Sequence, residues 1–471
     1  MRHSSLSLKG ASLHFWIVAL FVSLVFFIGG GSRDDIQSLV VLRPVAVLVL
    51  FFGLWGLETS LIRRYRVPLT LISLLLLLHL LQLIPMPPSL FNLLSGRAPI
   101  LDALKLADIH DKWLPISMVP YSTLNSFFAI IVPMAAFICI MRCTYEEKYR
   151  IFLLIIGLGC CSAVLGIVQI IGENCGPAYF YKVTNCDAAV GLFSNANHQA
   201  FFLVSLVPSL AGIAGLERDK KNLSILKSSI IFGVVFLFIL IIIVIGSRTG
   251  FVLMVFAIVI STLLFNRSAK IVCFLQNRKW RIFKYSLIII VPALALTLMA
   301  LADQFSYFNG VLKSDGEIDI RFDVWRTILK MIPDYIFLGS GFGSFVEVYQ
   351  IYEPLDQLRS SYMNHAHNDI LEFVLDGGIM GVILLACGVY AWIKASLKIF
   401  LKQKEPRVPV EAKAMLLSRC GSIIILIMGL ASFSDYPLRV PSISVIAILS
   451  SMWLCDGYFL QTVDKKSLSK R

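Results

Sequence analysis

The residues of this chain best suited to chemistry are two histidines immediately before a long apolar run. The stretch reads His365-Ala366-His367-Asn368-Asp369, and the apolar run continues to Trp392. An imidazole titrates near neutrality, so a histidine at the edge of a membrane segment can act as a general base on a membrane-borne substrate. Two histidines without other clear ligands do not make a metal site, so we expect no metal and no cofactor.

A helix is predicted to begin beside these histidines. Asp369 and Glu372 form an Asp-x-x-Glu pattern that resembles a capping box. The free N–H groups and the positive dipole end of such a helix would favour an anion such as pyrophosphate next to the imidazoles.

Two arginines are candidates for binding that anion. Arg248 lies between two apolar runs with almost no loop, where a guanidinium is costly unless it is paired or functional. It could snorkel to lipid headgroups, or it could offer a fork of donors to a phosphate or pyrophosphate. Arg321 and Trp325 are four residues apart and would share one face of a short amphipathic helix. Arg326 could equally be part of a solvated face.

The composition predicts an all-α integral membrane protein. The chain is 58% hydrophobic with a mean hydropathy of +0.81, and its apolar runs do not alternate as barrel strands do. We predict one polytopic membrane domain over residues 1–471. It would have about twelve transmembrane helices, at 12–30, 38–57, 67–84, 122–141, 151–171, 198–215, 228–246, 249–265, 285–302, 369–393, 420–434 and 440–460.

The basic residues predict the orientation of these helices. Most Lys and Arg fall on one side if the N-terminus is cytoplasmic, so both termini are expected there. The net charge of +13 is then explained by topology, and no motif indicates nucleic-acid binding. Arg248, Arg321, Arg439 and the histidines all fall on the outer side. So does a long loop at 303–368, between the ninth and tenth helices, which is too long for a bare connector and would carry part of the site.

Cys175 and Cys186 share one polar loop on that outer side. An oxidising compartment would allow a disulfide between them, but the sequence alone leaves two free thiols equally open.

Several short motifs together resemble the bacterial O-antigen ligase and O-antigen polymerase superfamily. His367-Asn368 precedes Gly378-Ile379-Met380-Gly381 by nine residues, as in the histidine motif of that superfamily. The other motifs occur in the same order, over roughly residues 80 to 385: 81–88 (LQLIPMPP), 191–198 (GLFSNANH), Ser247-Arg248, Arg321-x-x-x-Trp325 and 339–345 (GSGFGSF).

The resemblance implies a metal-independent inverting glycosyltransferase on the periplasmic face of the bacterial inner membrane. The donor would be a glycan on undecaprenyl pyrophosphate, and the acceptor a lipid A core or a growing polysaccharide, both among membrane lipids. By that likeness His367 would be the base, and Arg248 and Arg321 would bind the pyrophosphate. His365 is a further candidate for binding substrate. The spacing to Gly378 favours His367 over His365 as the base.

Two questions stay open at this level. A non-enzymatic transporter of lipid-linked glycans would also have about twelve helices, although the exposed polar residues cluster on one face and no internal repeat is evident. Ligase and polymerase cannot be separated, because acceptor choice depends on the shape of the groove.

Overall fold

The computed structural model describes residues 10–109, 111–216, 221–265, 321–358, 362–401 and 408–462, with backbone alone for 221–225. The helices are α1 Leu13–Ile28, α2 Leu39–Leu54, α3 Thr59–Arg64, α4 Arg66–Leu83, α5 Pro88–Phe91, α6 Ala98–Leu106, α7 Pro120–Ile140, α8 Tyr145–Ile171, α9 Ala196–Leu216, α10 Lys221–Ile245, α11 Arg248–Phe265, α12 Arg321–Tyr335, α13 Phe345–Tyr352, α14 Asp369–Leu401, α15 Pro409–Ala431 and α16 Pro441–Thr462. Strands β1 Pro85–Met86 and β2 Leu114–Pro115 pair antiparallel, and 3₁₀ turns span Leu355–Gln357 and Pro437–Arg439.

The helices make this a multi-pass membrane protein. Within the described ranges, nine helices are long and apolar enough to cross a bilayer, namely α4, α7, α8, α9, α10, α11, α14, α15 and α16. The apolar helices α1 and α2 are shorter. Together these eleven correspond to every predicted span except 285–302, which lies outside the described residues, as does the 303–320 part of the predicted long loop.

Several helices extend beyond the apolar runs that predicted them. Helix α15 begins at Pro409 rather than near 420, and its first turns carry Glu411, Lys413 and Arg419. Helix α8 begins at Tyr145 rather than 151, because Thr144 and Glu147 form a capping box there. Hydropathy detects the apolar part of a helix and misses charged turns that project from it.

The helix ends fall into two groups with different polar networks. At one end, the Lys148 Nζ donates to the Tyr65 hydroxyl at 2.6 Å and to Asp456 Oδ2 at 2.9 Å. This network joins the start of α4, the start of α8 and the last turns of α16. At the other end, which we call the histidine end, the starts of α9, α14 and α16 meet. Ser442 at the start of α16 donates its N–H to the Gly29 carbonyl after α1.

Helix α14 is broken at Gly378 inside its apolar run. Gly378 has φ +57° and ψ −152°, which separates a short helix at 369–377 from a long one at 379–401. The break frees the carbonyls of Leu375 and Asp376. They accept N–H groups from Ser340 at 3.0 Å and Gly341 at 3.1 Å. A helix within a membrane protein can be interrupted in this way where such outside partners replace its own hydrogen bonds.

The partners come from the glycine-rich segment, Leu338–Ser344. A Cβ at Gly339 would stand 2.0 Å from the Asp376 carbonyl oxygen, and one at Gly341 would stand 2.4 Å from the Ser117 hydroxyl. Both glycines have positive φ, so side chains are excluded by backbone conformation as well as by space. The segment therefore binds protein backbone.

Gly378→Ala is expected to destabilise the protein, while Gly388→Ala in the same helix is expected to be neutral or stabilising. A Cβ at Gly378 would lie 2.6 Å from the Gly339 nitrogen and would force a strained conformation, at about 1–3 kcal/mol before the clash. A Cβ at Gly388 meets no atom within 4 Å. Thermal unfolding of both variants in detergent tests this. Equal unfolding midpoints for the two variants would contradict the requirement for glycine at position 378.

Candidate active site

The two histidines lie on a tight turn that leads into the short first part of α14. His367 has φ +49°, a left-handed conformation that a non-glycine residue adopts only when its surroundings hold it. The turn is held because the Trp325 indole N–H donates to the Ala366 carbonyl at 2.9 Å, while the Ala366 N–H donates to Glu372 Oε2, also at 2.9 Å. The two imidazoles are therefore held at the N-terminus of α14 by these hydrogen bonds rather than carried on a free loop.

The prediction that Asp369 and Glu372 form a capping box is wrong. Asn368 is the cap: its Oδ1 accepts the N–H groups of Ile370 at 3.1 Å and Leu371 at 3.0 Å. Glu372 bonds the Ala366 N–H instead of an Asp369 backbone group, and the Asp369 N–H donates to the Asp435 carbonyl at 3.3 Å. These first N–H groups are already bonded. The expectation of an anion site at this helix N-terminus therefore fails.

Asp435 forms the carboxylate partner of His367. It lies between α15 and α16, with a side chain 1% exposed, and its Oδ1 is 3.4 Å from the His367 Nδ1. The same Oδ1 accepts the Tyr436 N–H at 2.9 Å, and Oδ2 accepts the Asn197 amide at 3.0 Å. His198 Nε2 approaches Oδ1 to 3.9 Å. A buried carboxylate surrounded by donors is suited to orient an imidazole.

The electrostatics keep Asp435 ionised. Burial alone would raise the pKa of Asp435, but the hydrogen bond and charge of His367, with smaller contributions from His198 and Arg321, hold this pKa well below its usual range. A carboxylate that stays negative can stabilise a proton on His367. It can also direct the Nδ1–H toward itself, which leaves Nε2 as the nitrogen able to accept a proton.

His365 pairs with a different carboxylate, Glu372, which also contacts a guanidinium. Its Nδ1 lies 3.0 Å from Glu372 Oε1, and the Arg439 Nη2 lies 3.2 Å from the same oxygen. Arg439 also approaches Asp369 at 3.5 Å and Asp376 at 3.6 Å. Glu372 is thus already paired with a guanidinium, and Arg439 is occupied by three carboxylates of α14.

Tyr436 forms the shared wall of the site. Its ring centroid is 4.4 Å from His365, 4.9 Å from His367 and 5.1 Å from His198. Burial, and then the charge of Asp435, raise the pKa of the Tyr436 hydroxyl, so it remains neutral near pH 7. The three imidazoles therefore surround one neutral aromatic ring at the histidine end.

Helix α12 carries the predicted Arg321 and Trp325 toward this turn. Arg321 Nη1 donates to the Ser434 carbonyl at 3.3 Å, next to Asp435, while Trp325 holds Ala366. The expectation that these two residues share a face is confirmed. Arg326 points away: its side chain is 75% exposed and lies 3.7 Å from Asp323.

Arg248 lies at the same end of the molecule. It is the first residue of α11, and it is exposed. Helix α11 packs on α9 so closely that a Cβ at Gly250 would stand 2.8 Å from the Cβ of Ala200, two residues after His198. Contacts thus lead from the start of α11 through α9 to Asp435 and His367.

Cys175 and Cys186 are disulfide-bonded, with their Cα atoms 5.2 Å apart. The bridged loop continues into the cap of α9, because Asn185 Oδ1 accepts the Ala196 N–H at 3.0 Å. This answers the question the sequence left open, and it connects the disulfide to the helix that carries Asn197.

Reducing this disulfide is expected to lower stability by about 3 kcal/mol, the loop-closure term for a loop of this size. Thiol counting by mass spectrometry under denaturing conditions should gain two alkylated sites after reduction. Thermal unfolding of Cys175→Ala measures the loss of stability, and Cys139→Ala, at a buried free cysteine, is the control for cysteine loss alone. Alkylation of Cys175 and Cys186 before reduction would contradict the pairing.

Sequence reasoning missed Asp435, Tyr436 and His198 as site residues, and it noted Arg439 only as outward-facing. Their signal was present: Asp435 and Arg439 are charges in a short connection between two apolar spans, and His198 closes a motif already singled out. The 432–440 connection contacts the histidine turn across more than sixty residues of sequence. No local pattern shows such a pairing.

Comparison with known families gives one match. A family model described as O-antigen ligase matches residues 233–386, about a third of the chain. The matched range contains Arg248, Arg321, the glycine-rich segment and both histidines. The search of curated proteins found no match.

Proposed function

We propose that this member of the O-antigen ligase-like superfamily is a glycosyltransferase that moves a glycan from undecaprenyl pyrophosphate to a lipid A core or a growing polysaccharide. The observation that carries the proposal is the His367–Asp435 pair beside Arg321 at one end of a helical membrane protein. A base and a guanidinium close together are what transfer from a diphosphate lipid requires.

His367 is the better base of the two histidines. Asp435 is held ionised, and the hydrogen bonds to its side chain come from the neutral Asn197 amide and the Tyr436 N–H, so its charge is available to support a proton on His367. Glu372 shares its charge with Arg439, which weakens its support for a proton on His365. His365 then serves as a polar contact for substrate, beside Tyr436. The 3.4 Å between His367 Nδ1 and Asp435 Oδ1 is long for a hydrogen bond, and hydrogen bonds between catalytic groups commonly shorten when substrate binds.

Arg321 and Arg248 would bind the leaving group. As the bond between the anomeric carbon and pyrophosphate breaks, negative charge grows on the departing oxygen. Fixed guanidinium groups stabilise that charge without a metal ion. Arg439 is unsuited to this role because three carboxylates surround it.

The transfer step balances with these groups alone. The acceptor oxygen bonds to the anomeric carbon from the face opposite pyrophosphate, so the configuration inverts. The acceptor proton passes to His367 Nε2. Undecaprenyl pyrophosphate leaves with the bonding pair. With both termini cytoplasmic, the histidine end would face the periplasm across the bacterial inner membrane.

Reconstitution in vesicles tests the proposal against the transporter alternative. Wild-type protein with a lipid-linked glycan and an acceptor should yield covalently extended acceptor and an equal amount of undecaprenyl pyrophosphate. Movement of the glycan lipid between leaflets without an extended product would support transport and would contradict the assignment as a glycosyltransferase.

Deletion of the gene distinguishes the two enzyme types. Intact lipid-linked polymer that is no longer attached to lipid A core would identify a ligase. Accumulated single repeat units would identify a polymerase. Unchanged lipopolysaccharide and exopolysaccharide would contradict both assignments.

A further inference from the structure

His198 is a buried titratable group at the histidine end that the proposed reaction does not use. Its side chain is fully buried at the start of α9, and neither ring nitrogen forms a hydrogen bond with any residue that the structure describes. Leaving a buried polar atom without a hydrogen-bond partner is unfavourable, because the atom loses its bonds to water and gains none in return. We therefore expect a hydrogen-bond partner for His198 among the residues that surround it.

The acceptor next to His198 is the carboxylate of Asp435. His198 Nε2 lies 3.9 Å from Asp435 Oδ1, the oxygen that faces His367 Nδ1 at 3.4 Å. A shift of about 1 Å would bring the His198 pair to hydrogen-bond distance. The two imidazoles approach one oxygen from α9 and from the α14 turn, while the Tyr436 N–H supports it at 2.9 Å.

We propose that His198 is a positioning residue that fixes Asp435 against the base His367, an assignment that rests on the proposed function. His198 is fully buried, so it meets neither donor nor acceptor sugar and acts only through Asp435. A neutral His198 that donates Nε2–H stabilises the carboxylate in the orientation that faces His367. Without that donor, the carboxylate is free to turn away from His367 and toward Arg321.

The charged and titratable groups around Asp435 determine which of them could change the pH dependence when His198 is altered. Asp435 is approached by His367 from the α14 turn, by Asn197 and His198 from α9, and by Arg321 from α12. His365 contributes charge near His198 from the same turn as His367. Asn197 and Tyr436 do not titrate in the neutral range, so a change in pH dependence on altering His198 must be expressed through Asp435 and the histidines.

A double-mutant cycle tests the inference in reconstituted full-length protein. His198→Leu should lower kcat roughly 10-fold and leave the KM for the lipid-linked donor unchanged. The same change in an Asp435→Asn background should have no further effect, because the carboxylate through which His198 acts is already gone. The acid limb of the pH–rate profile should move to lower pH in His198→Leu, since His367 loses part of its carboxylate support.

Two further variants separate positioning from folding. His198→Gln keeps a side-chain N–H and should retain most of the activity. Ser209→Ala alters another buried polar residue of α9, about three turns beyond His198, and should leave kcat and the pH profile as in wild type. Additive losses in the double mutant, or an unshifted acid limb, would overturn the role of His198 alone. Full activity of His367→Ala would overturn the proposed function and this inference together.

Discussion

His367→Ala is expected to lower the rate of glycan transfer by about 10²–10⁴-fold, the usual contribution of a positioned general base. Its imidazole lies over Asp435, with Nε2 left to accept the acceptor proton. No other residue of the turn can take this place, because His365 is tied to the Glu372–Arg439 pair. Initial rates with purified protein in vesicles measure the loss.

His365→Ala is the matched control for that change. It removes the neighbouring imidazole of the same turn and should reduce transfer at least tenfold less than His367→Ala, with the main change in the KM for substrate. Both variants should insert and unfold like wild type. The reverse order of activity would move the role of base to His365.

Arg321→Ala is expected to lower kcat by about 10²–10³-fold, the range found when one donor to a developing anion is removed. Arg326→Ala is the matched control on the same helix, because Arg326 points into solvent and pairs only loosely with Asp323. It should behave like wild type. Single-turnover rates with saturating donor lipid separate this loss from weakened donor binding.

Arg248→Ala should resemble Arg321→Ala if both guanidinium groups hold the pyrophosphate. A well-expressed Arg248→Ala strain with normal polysaccharide would remove Arg248 from the proposal. It would leave the His367–Asp435 pair untouched. Equal losses in Arg321→Ala and Arg326→Ala would point to general damage to α12 rather than to a role in binding the leaving group.

The membrane helices could be predicted from the sequence because hydropathy is a local signal. Apolar runs predicted each described span within a few residues, except where charged turns such as those of α15 extend the helix. The break at Gly378 was not predicted. Its stability depends on the glycine-rich segment, some forty residues earlier, which supplies N–H groups to Leu375 and Asp376.

The site was only partly predictable for the same reason. His367 and the Arg321–Trp325 pair could be found because their residue types and spacing have meaning within a few residues. Asp435 could not be paired with His367 from the sequence, since that contact exists only once α14, α15 and α16 have packed. The capping prediction failed because Asn368 competes successfully for the same N–H groups.

The measurement that tests the central claim most directly is a single-turnover comparison of wild type, His367→Ala and Asp435→Asn, each loaded with lipid-linked donor before acceptor is added. We expect all three to bind donor alike, and both variants to form extended acceptor at least 100-fold more slowly than wild type. Product formation at the wild-type rate by either loaded variant would contradict the assignment of this imidazole–carboxylate pair as the base.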